Sequence, residues 1–190
     1  MSSTKRTVEK PITIGSATAY IQEFNGTLPT VDAICVDANR FAYTKNGATI
    51  TYTMESQEVK DDLGLIRKTV YSGDEATISL GVLGWIGTTL AKAISTATAT
   101  DSGNRRVTKI GGVGNDNGKR YVVCLHHEDE QDGDCWWMVV GKNTEGLELA
   151  YTMEDGTVFS PSFKAEPYDD DGHLLYFEEE IVGSSGSNAG

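Results

Sequence analysis

The stretch "CLHHEDEQDGDCWWMVV", Cys124 to Val140, holds two of the chain's three histidines, two of its three cysteines and two of its three tryptophans. Glu128, Asp129, Glu130, Asp132 and Asp134 stand among them, with Glu145 shortly after. Imidazole, thiolate and carboxylate groups bind divalent metals and move protons. The spacing argues against both uses. Adjacent strand residues point to opposite faces, so His126 and His127 reach one metal only if the strand has already ended. Cys124 and Cys135 are too far apart for the CxxC knuckle of a structural zinc site. In a symmetric loop they would face each other across a hairpin, as small packed hydrophobes. A calcium loop begun at Glu128 accepts Glu130, Asp132 and Gly133 but puts Val139 where a bidentate Glu must stand. The stretch reads as a hairpin tipped by solvated acidic residues over 126–134.

Other motifs fail on single positions. "PYDDDGHLLYFE" puts Asp169, Asp171, Gly172 and Glu178 at calcium-loop positions, but the first ligand would be Pro167 and the flanks read as strands. "IGGVGNDNGKR", Ile110 to Arg120, has Val113 in place of the first P-loop glycine and Arg120 in place of Ser/Thr. There is no G-x-S-x-G elbow, and Cys occurs beside His only in the acidic hairpin. No enzyme activity, cofactor or metal is expected.

A chain of 190 residues with 38% hydrophobic and 23% charged residues fits one folded domain. The apolar runs are short and the N-terminus has no apolar h-region, so neither a membrane anchor nor a signal peptide is expected. Three cysteines, an odd number, point to free thiols in a reducing compartment. Residues 126–180 carry sixteen carboxylates against Lys142 and Lys164, a balance of −14, while the rest of the chain is +2. That excess argues against a surface that grips nucleic acid by neutralising phosphates. It leaves open a surface that nucleic acid passes without sticking, or acidity that serves only solubility.

Strand signals dominate. Candidates run over Ile12–Phe24, Gly47–Val59, Leu65–Tyr71 and Glu75–Leu83, the last two separated by a turn at Ser72–Asp74. Further candidates are "RRVTKI", "KRYVVCL", "CWWMVVGK", "GLELAYTM", "TVFSPSFKAE" and "HLLYFEEEI". Over Gly47–Val59, Ile50, Tyr52 and Met54 share one face while Thr49, Thr51 and Thr53 share the other. Asn46-Gly47, Asn117-Gly118, Asp155-Gly156 and Asp171-Gly172 read as turns. "GWIGTTLAKAIS" has helical spacing, and the following "STATATDSGN" reads as a loop; Leu28–Phe41 could be a short helix or an edge strand. The fold expected is all-β: an antiparallel β-sandwich or barrel of about ten strands, with one flanking α-helix at about 84–95 and extended arms and loops. A single domain spans 1–182, with an N-terminal arm over 1–11, a long hairpin or loop over 47–71, and a flexible Gly/Ser tail over 183–190. "YVVCL" and "WWMVV" are apolar at every position, so both faces of that hairpin need cover. Tyr121, Val123, Leu125, Trp136, Trp137 and Val139 therefore serve either the core or a contact with another subunit.

The segments "NGATITYTMESQEVKDDLGLIRKTVYSGDEATISLGVLGWIGTTLAKAI" and "VVGKNTEGLELAYTMEDGTVFSPSFKAEPYDDDGHLLYFEEEI" resemble, in element order, the tail tube (major tail) proteins of tailed bacteriophages. The two cover about half the chain; Ser95 to Met138 has no counterpart. The resemblance implies a virion protein, assembled in the host cytoplasm, whose subunits form stacked rings, hexameric in that family. It implies a hollow tube through which DNA passes without specific binding, and partners among tape-measure, terminator, baseplate or sheath proteins. By the same analogy Thr51–Asp62 supplies lumen strands and a ring-to-ring loop, with Glu55, Glu58, Asp61 and Asp62 as the lumen or stacking charges. An ordinary solvated hairpin explains the same residues. Rival readings are a calcium-dependent ligand-binding β-sandwich using the acidic loops at 128–134 and 169–171, or a head-decoration or tail-terminator protein.

Overall fold

A computed structural model of the chain describes residue 15 and residues 17–181, other than 64, 66, 131, 150 and 152–155. The N-terminal arm expected over 1–11, the tail over 183–190 and the turn residue Asp155 lie outside the described residues. The elements run β1 (Thr18–Glu23), α1 (Val31–Ile34), β2 (Arg40–Lys60), β3 (Arg67–Leu83), α2 (Gly87–Ala93), β4 (Ala97–Ser102) and β5 (Arg105–Ile110). Then follow β6 (Tyr121–His127), β7 (Cys135–Asn143), β8 (Val158–Phe159), β9 (Ser162–Ala165) and β10 (Leu175–Glu179). The protein is mostly antiparallel β, as its alternation and turn residues predict.

One large sheet curls in the order β10-β7-β6-β1-β2-β3-β8, and β9 pairs with both β3 and β7. β9 meets β3 at Ile78↔Phe163 and β7 at Gly141↔Ala165, so the ladder returns on itself through six antiparallel strands. Inside lie Ala19 and Ile21 of β1, Ile78, Leu80 and Val82 of β3, and Val123, Val139, Phe159 and Phe163, with Leu90 and Ala93 of α2 joined to the same cluster. β6 and β7 carry a second apolar layer on their outer face. Val122, Cys124, Met138 and Val140 are buried there against Val31 and Ile34 of α1. Both faces of the hairpin are thus covered within one chain, which is why β6 needs no polar alternation. Each such side chain, fully buried, contributes about 1.5–3 kcal/mol.

Several expectations change in detail. Ser72–Asp74 is not a turn: β3 runs through it, and the register passes from Glu55↔Gly73 to Ser56↔Tyr71, leaving Ser72 as a bulge. Asn46-Gly47 is likewise a bulge within β2, between Thr44↔Val82 and Ala48↔Leu80, with Gly47 at φ 76°. Glycine suits a bulge as well as a turn, and at Gly47 it supplies a left-handed backbone position inside the strand. The long hairpin therefore spans both full strands, not 47–71 alone. The Thr-rich stretch after α2 is not a loop but β4, whose alternating Ala and Thr pair with β5 in a separate two-stranded sheet. Among the described residues of "GLELAYTM" there is no strand. "TVFSPSFKAE" splits into β8 and β9 at Pro161, which lacks the N–H to continue a ladder. The ambiguous 28–41 region holds the single turn of α1, so two helices stand where one was expected.

Gly141 permits the closure. A Cβ there would lie inside the carbonyl of Lys164 in β9. Gly141→Ala should force the β7–β9 backbones apart and cost about 1–3 kcal/mol in urea denaturation. Gly73→Ala, where a Cβ meets nothing within 4 Å, should change stability by no more than about 0.5 kcal/mol. Equal effects of the two would contradict closure at Gly141.

Candidate functional site

The acidic tip uses its carboxylates on its own backbone. His127↔Cys135 is the last pair of the β6–β7 ladder, and the loop between them folds around Asp129 and Asp134. The Asp129 N–H donates to Asp134 Oδ1 at 3.0 Å and the Asp132 N–H to Asp129 Oδ1 at 2.9 Å. The His126 ring stacks on Trp136 at 4.9 Å, with Nε2 3.0 Å from Asp134. His127 lies on the opposite face and is buried. Cys124 does not face Cys135: it pairs with Met138 in the ladder, and its sulfur touches that of Cys35. The loop is shorter on the β6 side than a symmetric hairpin around 124 and 135 requires. Among the described residues no group of three or more His, Cys, Asp and Glu could hold a metal ion.

The other acidic loop behaves alike. Asp169 accepts from the His173 N–H at 2.9 Å and sits 2.7 Å from its Nδ1, while Glu178 accepts from the Tyr176 hydroxyl. Two carboxylates at calcium-loop positions therefore already have protein partners, and Gly172, at φ 84°, completes a tight turn. In the glycine-rich loop, the Gly118 and Lys119 N–H groups donate to the side chains of Asp116 and Asn117. Lys119 Nζ pairs with Glu23 at 2.7 Å. That is a side-chain-capped turn rather than a phosphate cradle.

The hairpin residues divide by parity. Tyr121, Val123, Leu125 and Val139 are buried inside the curled sheet and Trp137 packs against them. Trp136 belongs to the outer layer under α1.

What the barrel does not absorb is the far half of β2 and β3. β1 pairs with β2 only as far as Ala42, and β9 reaches β3 only at Thr77–Ser79. Beyond them, 51–60 and 67–76 form a two-stranded ribbon that pairs only with itself among the described residues. Residues 51–60 are all exposed. The ribbon face that continues the barrel interior from Ile50 and Ile78 carries Tyr52, Met54 and Tyr71, with Met54 66% and Tyr71 55% exposed. The Tyr52 hydroxyl donates to Asp74 at 2.9 Å and lies 3.5 Å from that of Tyr71. The Tyr71 and Asp74 contacts push its ionisation above the ordinary tyrosine range. The opposite face carries Thr49, Thr51, Thr53, Glu55, Gln57 and Val59, with Glu75, Val70 and Lys68 of β3 on the same side. Glu55 and Glu58, three positions apart, consequently point to opposite sides. Glu58 lies 3.1 Å from Lys60 and 3.9 Å from Arg67, on the same face as Tyr52 and Met54. Asp61 is half-buried and Asp62 exposed, both where the ribbon turns over. Parity along the strand carried this division, and net acidity alone concealed it.

No protein-family model matches the chain, and no curated protein matches it. Among solved structures, a chain of the one described as "Virion of native gene transfer agent (GTA) particle" is similar, with a TM-score of 0.46 and 10% identity over 86% of this chain and 95% of that one.

The Asp169–His173 pair gives a pH signature. The Asp169 contacts raise the His173 pKa above 6.5, and the His173 N–H chiefly lowers that of Asp169 below 3.8. Whatever the pair contributes to stability is complete between the two ordinary values. It fades as pH rises through the shifted imidazole or falls through the shifted carboxyl. NMR titration should find the His173 midpoint above 6.5, and Asp169→Asn should lower it. A midpoint unmoved by Asp169→Asn would contradict the pairing.

Proposed function

We propose that the chain is a structural subunit of a phage-type particle, a tail tube protein that assembles with copies of itself into stacked rings around a DNA channel. The observation that carries this reading is the ribbon: two strands projecting past the barrel, with Tyr52, Met54 and Tyr71 exposed on the face continuous with the core, and unpaired on both outer edges among the described residues. An isolated two-stranded hairpin is marginal in water. Its exposed N–H and C=O groups are a template for strands of another chain. Copies joined edge to edge would bury Tyr52, Met54 and Tyr71 and extend one sheet around a ring, whose closed symmetry removes the edges. The sequence resemblance to tail tube proteins points the same way.

In this arrangement the Thr-rich face would line the channel, with the carboxylates of Glu55 and Glu75 and the ammonium of Lys68 as its charges. Glu58 would lie on the subunit side, already neutralised by Lys60 and Arg67. Carboxylates near the wall repel phosphate within about 10 Å at 0.1 M salt, so DNA slides instead of binding. Asp61 and Asp62, at the ribbon's turn, would serve contact between rings.

Concentrated protein viewed by negative-stain electron microscopy should show rings or tubes. Tyr52→Thr combined with Met54→Lys should leave the monomer's stability within about 0.5 kcal/mol, since both side chains are exposed and a lysine at 54 faces Asp74. It should raise the concentration needed for assembly by more than about tenfold, given about 1.5–3 kcal/mol per apolar side chain buried. A wild-type protein that stays monomeric at every concentration and salt, or tubes indifferent to the double substitution, would contradict the proposal.

A further inference from the structure

Cys35 closes α1, and Cys124 lies in β6 beneath it; both thiols are free and their sulfurs are 3.8 Å apart. The two residues are 89 positions apart, and the segment between them contains the whole β2–β3 ribbon. We propose that Cys35 and Cys124 are a disulfide-forming site, closed by a small-molecule disulfide such as oxidised glutathione, that staples α1 to the outer face of the barrel.

Closing a bond of about 2.05 Å requires the sulfurs to approach by less than about 2 Å. Their unequal exposure sets the order of events. Cys35 is partly exposed, whereas Cys124 is fully buried and out of reach of a bulky oxidant. The Cys35 thiolate attacks one sulfur of oxidised glutathione, forming a mixed disulfide and releasing one glutathione thiolate. The Cys124 thiolate then attacks the Cys35 sulfur, forming the internal bond and releasing the second. Two protein thiols are oxidised and one glutathione disulfide is reduced to two thiols, so atoms and electrons balance. Burial raises both thiols above their ordinary range, which makes the exchange slow. Cys135 stands apart, opposite His127 and beside Asp134.

Purified, reduced full-length protein would be incubated with excess oxidised glutathione and followed by intact mass and peptide mapping. The expected product has lost two hydrogens, links the Cys35 and Cys124 peptides, and melts about 5–15 °C higher than the reduced form. Cys135→Ala should form the same bond. Cys124→Ala should instead stop at a glutathione adduct on Cys35. Unchanged thiols, a wild-type product that stays glutathionylated, a bond through Cys135 or between two chains, or a linked product with unaltered melting would each overturn the proposal. None of these outcomes depends on whether rings form.

Discussion

A strand that is apolar at consecutive positions has no side it can show to water, and β6 and β7 are such strands. Their inner residues, Val123 and Val139 among them, require the sheet to curl until it encloses them; their outer residues, Val122, Cys124, Met138 and Val140, require a separate cover. The first demand is met by β9, which draws β3 and β7 together where Gly141 lets two backbones approach. The second is met by α1, a single helical turn that could not hold its shape alone. Closure then produces the ribbon. β1 has six residues and β9 four, against 21 in β2 and 17 in β3, so the long pair outruns its neighbours and leaves the barrel.

The same geometry gives the most reactive-looking residues a structural use. Asp129, Asp134 and Asp169 accept hydrogen bonds from main-chain N–H groups of their own turns. Short acidic side chains are suited to that work because they reach back to nearby main-chain donors. The composition that suggests metal binding is therefore also the composition of tightly turned loops between strands, and partners distinguish the two.

Much of this was legible in the residues. The alternation of Ile50, Tyr52 and Met54 against Thr49, Thr51 and Thr53 is the two-faced ribbon, and the unbroken apolar runs of β6 and β7 announce their double burial. The spacing of Leu90 and Ile94 marks α2. Three things were not legible, each for a reason. Glycine serves a bulge as well as a turn, so Gly47 and Gly73 could not say that their strands continue. Ala and Thr in β4 carry little apolar area, and only pairing with β5 makes them a strand. Which element covers the outer face of β6 depends on a contact between residues 35 and 124, too far apart for any local pattern to encode.

The central claim is that the β6–β7 hairpin is sealed within one subunit while the ribbon is completed by another. Hydrogen exchange on free and assembled protein separates the two directly. In the free subunit, amides of 121–127 and 135–141 should exchange slowly while those of 51–60 and 67–76 exchange fast; on assembly only the ribbon should gain protection. Protection gained at β6 and β7 instead, with the ribbon unchanged, would contradict the account.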